Sequence, residues 1–243
     1  MSRKQKLDQY SGTLSPDQIA EGMNAAIDNA ARLAHDARIL LESHSYPSAA
    51  SLAILSIEES GKVAMLRELA LARGECERTD AWRGYRSHTR KNFMWLLPEL
   101  AVQGARKLSD FRKLTDPSSD HRYILDQVKQ IGFYTDCLGA SHWSLPHEVI
   151  DKTLASLLVD VASLLATKHH ATTKEVELWI KHMQPVWRTS PVWMEAALKN
   201  WYADMQAHGL VPPGDNEMAA FATFVDQAID QPNNRTGDIC PSA

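Results

Sequence analysis

Cysteine is scarce in this chain: Cys76, Cys137 and Cys240 are the only three, widely separated and with no CxxC pair. An odd, scattered set supports neither a disulfide framework nor a zinc knuckle, and a reducing cytoplasm is the compartment it fits best. Long hydrophobic runs are also missing. Asp160 interrupts the apolar stretch from Leu154 to Leu165, so no membrane span is expected. Met1 to Lys6 is basic but leads into Leu7-Asp8-Gln9-Tyr10, not the apolar run of a signal peptide. There is no excess of positive charge: the net value is -4, so any contact with nucleic acid would need a local patch. Alternating apolar and polar residues flanked by hairpin turns do not stand out, and there is no internal repeat.

What is present is helical signal. The chain has 243 residues, 44% hydrophobic and 23% charged, enough for one sizeable core, or one domain with a smaller appendage. Ser15-Pro16-Asp17-Gln18 reads as a helix start: Ser15 caps, Pro16 suits the first helical position and Gln18 closes a capping box. An apolar stripe through Ala26, Ala30, Leu33, Ala37, Leu40 and Leu41 carries this helix to about His44. Ser45-Tyr46-Pro47 starts a second helix, with Gly74 as its expected stop. A third is expected from Thr79 or Asp80, faltering before Pro98. Residues 103 to 120 read as a short helix and a polar loop, 120 to 131 as a further helix, and Gly132 to Pro146 as irregular. Pro146 opens a long apolar helix to about His169.

From about residue 171 tryptophans dominate, at 179, 187, 193 and 201. Trp193, Ala197 and Trp201 share one helix face, which reads as core packing of a C-terminal helical subdomain, with an aromatic recognition surface as the alternative. A last helix is expected over about 214 to 230. The expected organisation is a flexible segment 1–14, a bundle over 15–170, a Trp-rich helical region over 171–230 and a disordered tail over 231–243.

The second helix carries the most informative residues. Ala49 to Ile57 is apolar or small on every face, the pattern of a helix surrounded by neighbours. Glu58 and Glu59 follow directly, with Lys62 within reach of either, and Gly61 permits close approach of another segment. Buried carboxylates cost several kcal/mol each unless paired, on the order of the isolated-ion penalty. The plain reading is a structural ion pair; the functional one is a set of groups orienting a catalytic histidine or a phosphate ligand. A di-metal site is not supported, because Lys62 stands where Glu-x-x-His would need a ligand.

Residues 82 to 91, Trp-Arg-Gly-Tyr-Arg-Ser-His-Thr-Arg-Lys, gather Arg83, Arg86, Arg90 and Lys91 around His88. Such a cluster can hold phosphate by charge-assisted hydrogen bonds, and His88 can exchange a proton near neutral pH. It can equally be a solvated face that partly neutralises Glu58 and Glu59. Arg83 and His88 form R-x4-H. On an ideal helix that five-residue step turns ~140°, so the two would not share a face, whereas His88 and Lys91 would.

Taken together these residues resemble the AbiV family of abortive-infection (phage-defence) proteins. Tyr46-Pro47 with Ala49, Leu52-Ala53, Glu58-Glu59 and Gly61-Lys62 is similar to its Tyr-x-x-A…L-A…E-E-x-G-K pattern. His88-Thr89-Arg90-Lys91 is similar to its H-x-x-K, and Phe133-Tyr134-Thr135-Asp136 with Trp143 and Pro146 to its later aromatic segment. AbiV-like proteins are grouped with the HEPN superfamily, so the resemblance implies an all-α, HEPN-like up-and-down helical bundle, here with an additional C-terminal helical region, and commonly a homodimer.

Many HEPN proteins are metal-independent RNases with R-x4-6-H. The resemblance thus implies catalytic roles for His88 as general acid or base and Arg83 on the phosphate, with Glu59 and Lys62 orienting the site. Arg86, Arg90 and Lys91 would bind phosphate, and Glu58 and Tyr134 would support; no metal and no cofactor is implied. The expected partners are RNA or the translation machinery, or a phage protein, with no membrane. Gly84 departs from the polar residue that often follows the arginine, which leaves open a non-catalytic HEPN-like module binding a phage protein, a nucleotide or a partner toxin, or a purely structural adaptor.

Overall fold

The computed structural model describes residues 8–91, 121–166 and 169–216, with Met218. Among them α1 spans Pro16–Glu42, α2 Tyr46–Ala70, α3 Glu75–Arg86, α4 His88–Lys91 and α5 His121–Phe133. A hairpin of β1 (Asp136–Leu138) and β2 (His142–Ser144) comes next. It is followed by α6 (Pro146–Val149), α7 (Lys152–Leu165), α8 (Thr173–Met183), a 3-10 turn (Gln184–Val186) and α9 (Pro191–Ala207). The fold is all-α apart from this small hairpin. The expected elements over 103–120 and 214–230 and the tail lie outside the described residues, except for residues 214–216 and Met218.

α1 begins as its residues dictate: Ser15 accepts from the Gln18 amide and the Gln18 side chain returns to the Ser15 amide. Its buried face, Ile19, Met23, Ala26, Ala30, Leu33 and Ala37, keeps helical spacing. Small residues line its contact with α2, where Ala49, Ala50 and Ala53 are buried, and the Ser56 hydroxyl donates to the Ala30 carbonyl at 2.8 Å. α2 is the central helix. α1, α5, α7 and the α3–α4 segment all pack on it, which is why its residues are apolar or small all round. Ala34, Ile54, Ile57, Leu125, Ile150, Leu158 and Val159 form the main core. A second cluster joins Ile19, Met23, Leu66, Trp82 and Val176.

Boundaries differ from expectation where a local signal was overruled. α2 stops at Ala70, and Gly74, expected as its terminator, caps the start of α3 instead. α3 therefore begins at Glu75, four residues before Thr79. It ends at Arg86 because Ser87 is extended (φ -79, ψ 121), which redirects the chain into α4.

The stretch Gly132–Pro146 is not wholly irregular. Asp136 pairs with Ser144 and Leu138 with His142 around a tip with left-handed Gly139 and Ser141, and three-residue strands are too short to display alternation. The apolar helix expected from Pro146 to His169 is two helices. Asp151 leaves the helical conformation and caps the Leu154 amide at 2.8 Å, and Ile150 is buried at the break.

In the C-terminal region Trp179 and Trp201 meet edge to face at 5.3 Å, with the Arg67 guanidinium 5.7 Å from one ring and 5.8 Å from the other. Trp193 does not join them: it is 64% exposed, so the face shared with Ala197 and Trp201 is buried only at its later positions. Tyr10 to Thr13, within the segment expected to be flexible, lie on α3. Trp82 Nε1 donates to the Gly12 carbonyl at 3.0 Å, Arg78 to the Thr13 hydroxyl at 3.3 Å, and Arg86 to the Tyr10 carbonyl. Among the described residues Cys137 is free and exposed.

Candidate functional site

Glu58 sits at the middle of α2 where α4 and α5 close over it, and its side chain is only 3% exposed. A bare carboxylate there would be costly, and three basic side chains answer it. Lys129 Nζ of α5 is 2.5 Å from Oε1, His88 Nδ1 of α4 is 2.7 Å from Oε2, and Lys91 Nζ is 3.7 Å from Oε2. Asp126, one turn before Lys129, takes a second bond from its ammonium at 2.9 Å. Burial alone would lower the Lys129 pKa, but its hydrogen bonds to Glu58 and Asp126 outweigh that and hold it above the ordinary lysine value. Lys91 goes the other way: burial pulls it below the ordinary value, and Glu58 only partly restores it.

The break at Ser87 makes this geometry. It turns His88 and Lys91, three apart and on one face, toward α2. Gly61 lets α4 come that close, since a Cβ at position 61 would run into the Lys91 backbone carbonyl. His88 is anchored on one side and open on the other: Nδ1 holds Glu58, yet the side chain is 61% exposed. A carboxylate only accepts, so Nδ1 carries the proton of the neutral ring and Nε2 keeps its lone pair. A carboxylate that fixes the tautomer and orientation of an exposed imidazole is a general-base arrangement.

The other expected site residues fall in three places. Glu59 and Lys62 pair with each other at 2.6 Å, with Lys62 5.6 Å from the centre of the Tyr85 ring; the acid that touches His88 is Glu58. Lys91, expected to bind phosphate, is buried against Glu58 and does not face solvent. The side chain of Arg90 lies outside the described residues.

Arg83 lies on the far side of the Ser87 break. It is exposed, 3.8 Å from Asp80, and lines an open cleft of about 780 Å³ with Arg78, Arg86, Trp82 and Ser87. Arg86 stacks on Trp82 at 5.0 Å. Arg83 and His88 therefore do not point into one pocket; Ser87, the residue before His88, belongs to the rim of the arginine cleft. Tyr134 is exposed at the end of α5 and lines a separate cavity.

Lys129 and Asp126 were not singled out from the sequence. Their only signal is an Asp-x-x-Lys spacing on α5, which says nothing of a partner 71 residues away. Among the described residues no three metal-ligating side chains converge, and no helix is long and apolar enough to cross a membrane.

Residues 18–167, most of α1 through α7, match the HEPN-type family model described as AbiV. No curated protein and no solved structure matches the chain.

Proposed function

Because this chain belongs to the AbiV family of HEPN-type proteins, a family of abortive infection and phage defence, we propose that it is a phage-defence effector acting as a metal-independent endoribonuclease with His88 as its general base. The observation that carries this is the Glu58–His88 contact: a buried acid holds one nitrogen of an exposed imidazole at 2.7 Å, leaving the other for a substrate. Nε2 takes the proton of an RNA 2′-hydroxyl. The 2′-oxygen attacks the adjacent phosphorus, the bond to the 5′-oxygen breaks, and that oxygen takes a proton from water. A 2′,3′-cyclic phosphate and a free 5′-hydroxyl result, and His88 returns its proton to solvent.

Arg83, with Arg78, lines the separate cleft beyond Ser87 and supplies positive charge there for flanking RNA backbone, not for the phosphate at His88. Glu59 and Lys62 support α2 beneath the site. The protein works in the cytoplasm, where transcripts are, and as a homodimer, which sedimentation of the purified chain checks.

One observation favours a second reading, in which the network is purely structural: Lys91 and Lys129 are both buried against Glu58. His88→Ala separates the two, because an exposed histidine can be removed without stripping Glu58 of its lysines. The ribonuclease reading expects the variant to melt near wild type, to lose ~10²–10⁴-fold in RNA cleavage and to abolish protection of cells under phage challenge. A folded variant that still protects and still cleaves RNA overturns it. RNA binding should also weaken steeply with salt; salt-insensitive capture points to a protein partner.

A further inference from the structure

The Tyr134-Thr135-Asp136 segment takes no part in the chemistry above, yet it lines a cavity of about 590 Å³ between α5 and the hairpin, with Asp126, Gln127, Gln130, Ile131, Leu138 and Ser144. That volume is in the range of small-molecule sites. Its lining is distinctive in what it offers. Tyr134 presents an exposed aromatic ring, and Gln127 and Gln130 each carry donors and an acceptor. The Ser144 hydroxyl is buried with no hydrogen-bond partner among the described residues. Asp136 spends one lone pair on the Cys137 amide at 2.7 Å and keeps acceptor capacity on both oxygens. Among the described residues no lysine, arginine or histidine lines the cavity. A phosphate would meet two carboxylates and no cation, so the ligand is planar, neutral and rich in donors.

We infer that this cavity is a nucleobase pocket, and that guanine is the base it takes, stacked on Tyr134 with its N1–H and 2-amino group donating to Asp136. Single-stranded RNA is read this way, by aromatic stacking and by hydrogen bonds to the exposed base edge. The pocket is coupled to the histidine: Asp126 holds Lys129 at 2.9 Å, Lys129 holds Glu58 at 2.5 Å, and Glu58 holds His88 at 2.7 Å. A base seated beside Asp126 thus lies at one end of a chain of four side chains whose other end is the proton acceptor. The inference rests on the ribonuclease reading for its biological purpose, and it names the substrate feature that reading leaves open.

Titration of the full-length protein with nucleosides, up to millimolar concentration and followed by calorimetry, tests the pocket without any cleavage. Guanosine should bind. Inosine, which lacks the 2-amino group, and adenosine, which also lacks the N1 proton, should bind at least about ten-fold more weakly, because the carboxylate loses a donor. Guanosine 5′-monophosphate should bind no more tightly than guanosine. Asp136→Asn and Tyr134→Ala, each checked by thermal melting, should lower guanosine affinity by at least about ten-fold. Absence of guanosine binding, equal affinity for adenosine, tighter binding of the monophosphate, or folded Asp136 and Tyr134 variants that bind as well as wild type would each overturn the pocket. The two ideas fail separately. A His88→Ala protein that still cleaves RNA sinks the ribonuclease reading whatever guanosine does, and a protein that cleaves RNA but takes no guanosine sinks only the pocket.

Discussion

Glu58 and Lys129, 71 residues apart in sequence, meet at 2.5 Å in the interior, and the other oxygen of the same carboxylate holds His88. One acid thus serves the fold and the site together. It neutralises an ammonium that cannot reach water, and it fixes the ring that faces water. Separating these duties is the most direct way to learn which one matters for function.

Removing the acid should harm the fold first. Glu58→Ala leaves Lys129 and Lys91 facing each other without their shared counter-ion, and breaking a buried pair of this kind costs about 3–5 kcal/mol. Urea denaturation of wild type and variant measures it. Glu58→Leu combined with Lys129→Met removes that pair together and should recover part of the loss, the remainder being buried Lys91 left without Glu58. The double variant should still fail to cleave RNA, because His88 has lost its anchor. Cleavage at wild-type rate in that background would show that the carboxylate does not position the histidine.

Gly61→Ala tests whether α4 needs its close seat on α2. The added methyl meets the Lys91 backbone carbonyl, and backbone cannot swing aside as a side-chain tip can. The expected cost is about 1–3 kcal/mol, the range for overpacking. RNA cleavage should fall further than stability alone explains, because α4 carries His88. A melt and a cleavage assay on one preparation decide it.

The two buried lysines predict opposite responses to alkali. Lys129 has a folded pKa above the ordinary value, so its stabilising contribution is full below about pH 10.5 and is lost as pH rises through the folded pKa. Lys91 has a folded pKa below the ordinary value. Its charged form is disfavoured in the fold, so its penalty applies at lower pH and is relieved as pH rises toward the unfolded value. Urea midpoints between pH 8 and pH 12 should therefore fall less with pH in Lys129→Met than in wild type, and more in Lys91→Met.

Asp204 on α9 joins two helices of the Trp-rich region through Lys181 at 2.7 Å and His182 at 2.8 Å on α8. Hydrogen bonds from Lys181, then from His182, hold its carboxyl down at about 2. The contribution is present above the ordinary carboxylate pKa and is lost as pH falls toward 2. Carboxyl NMR should show Asp204 titrating well below the exposed aspartates, and Asp204→Asn should flatten the acid limb of the melting curve between pH 4 and pH 2. The pair is at the surface, so added salt should weaken the effect.

Much of the helical layout can be read from residue order because its causes are local. The Ser15-Pro16-Asp17-Gln18 cap, the 3.6-spaced stripe of α1 and the greasy run before Glu58 each act within a few residues. What the sequence hides is where such signals compete. Gly74 can end one helix or begin the next, and Asp151 can continue an apolar helix or interrupt it to cap Leu154. Three-residue strands carry no periodicity. The adjacency of Glu58 and Glu59 marks the region of the site, but two neighbours on a helix point about 100° apart, and only packing chooses which of them goes inward.

By itself, then, the amino-acid sequence determined the helical class, the start of α1, the buried character of α2 and the likeness to AbiV, because propensity, capping and hydrophobic period are short-range properties. The tertiary structure alone decided that Glu58 and not Glu59 reaches His88, that Lys129 completes the charge balance, that Lys91 turns inward, and that Arg83 lines a different cleft. Those outcomes depend on the extended Ser87 and on α4 and α5 closing over one point of α2. The energy of an ion pair depends on distance and burial in space, and neither is written in the spacing of residues along the chain.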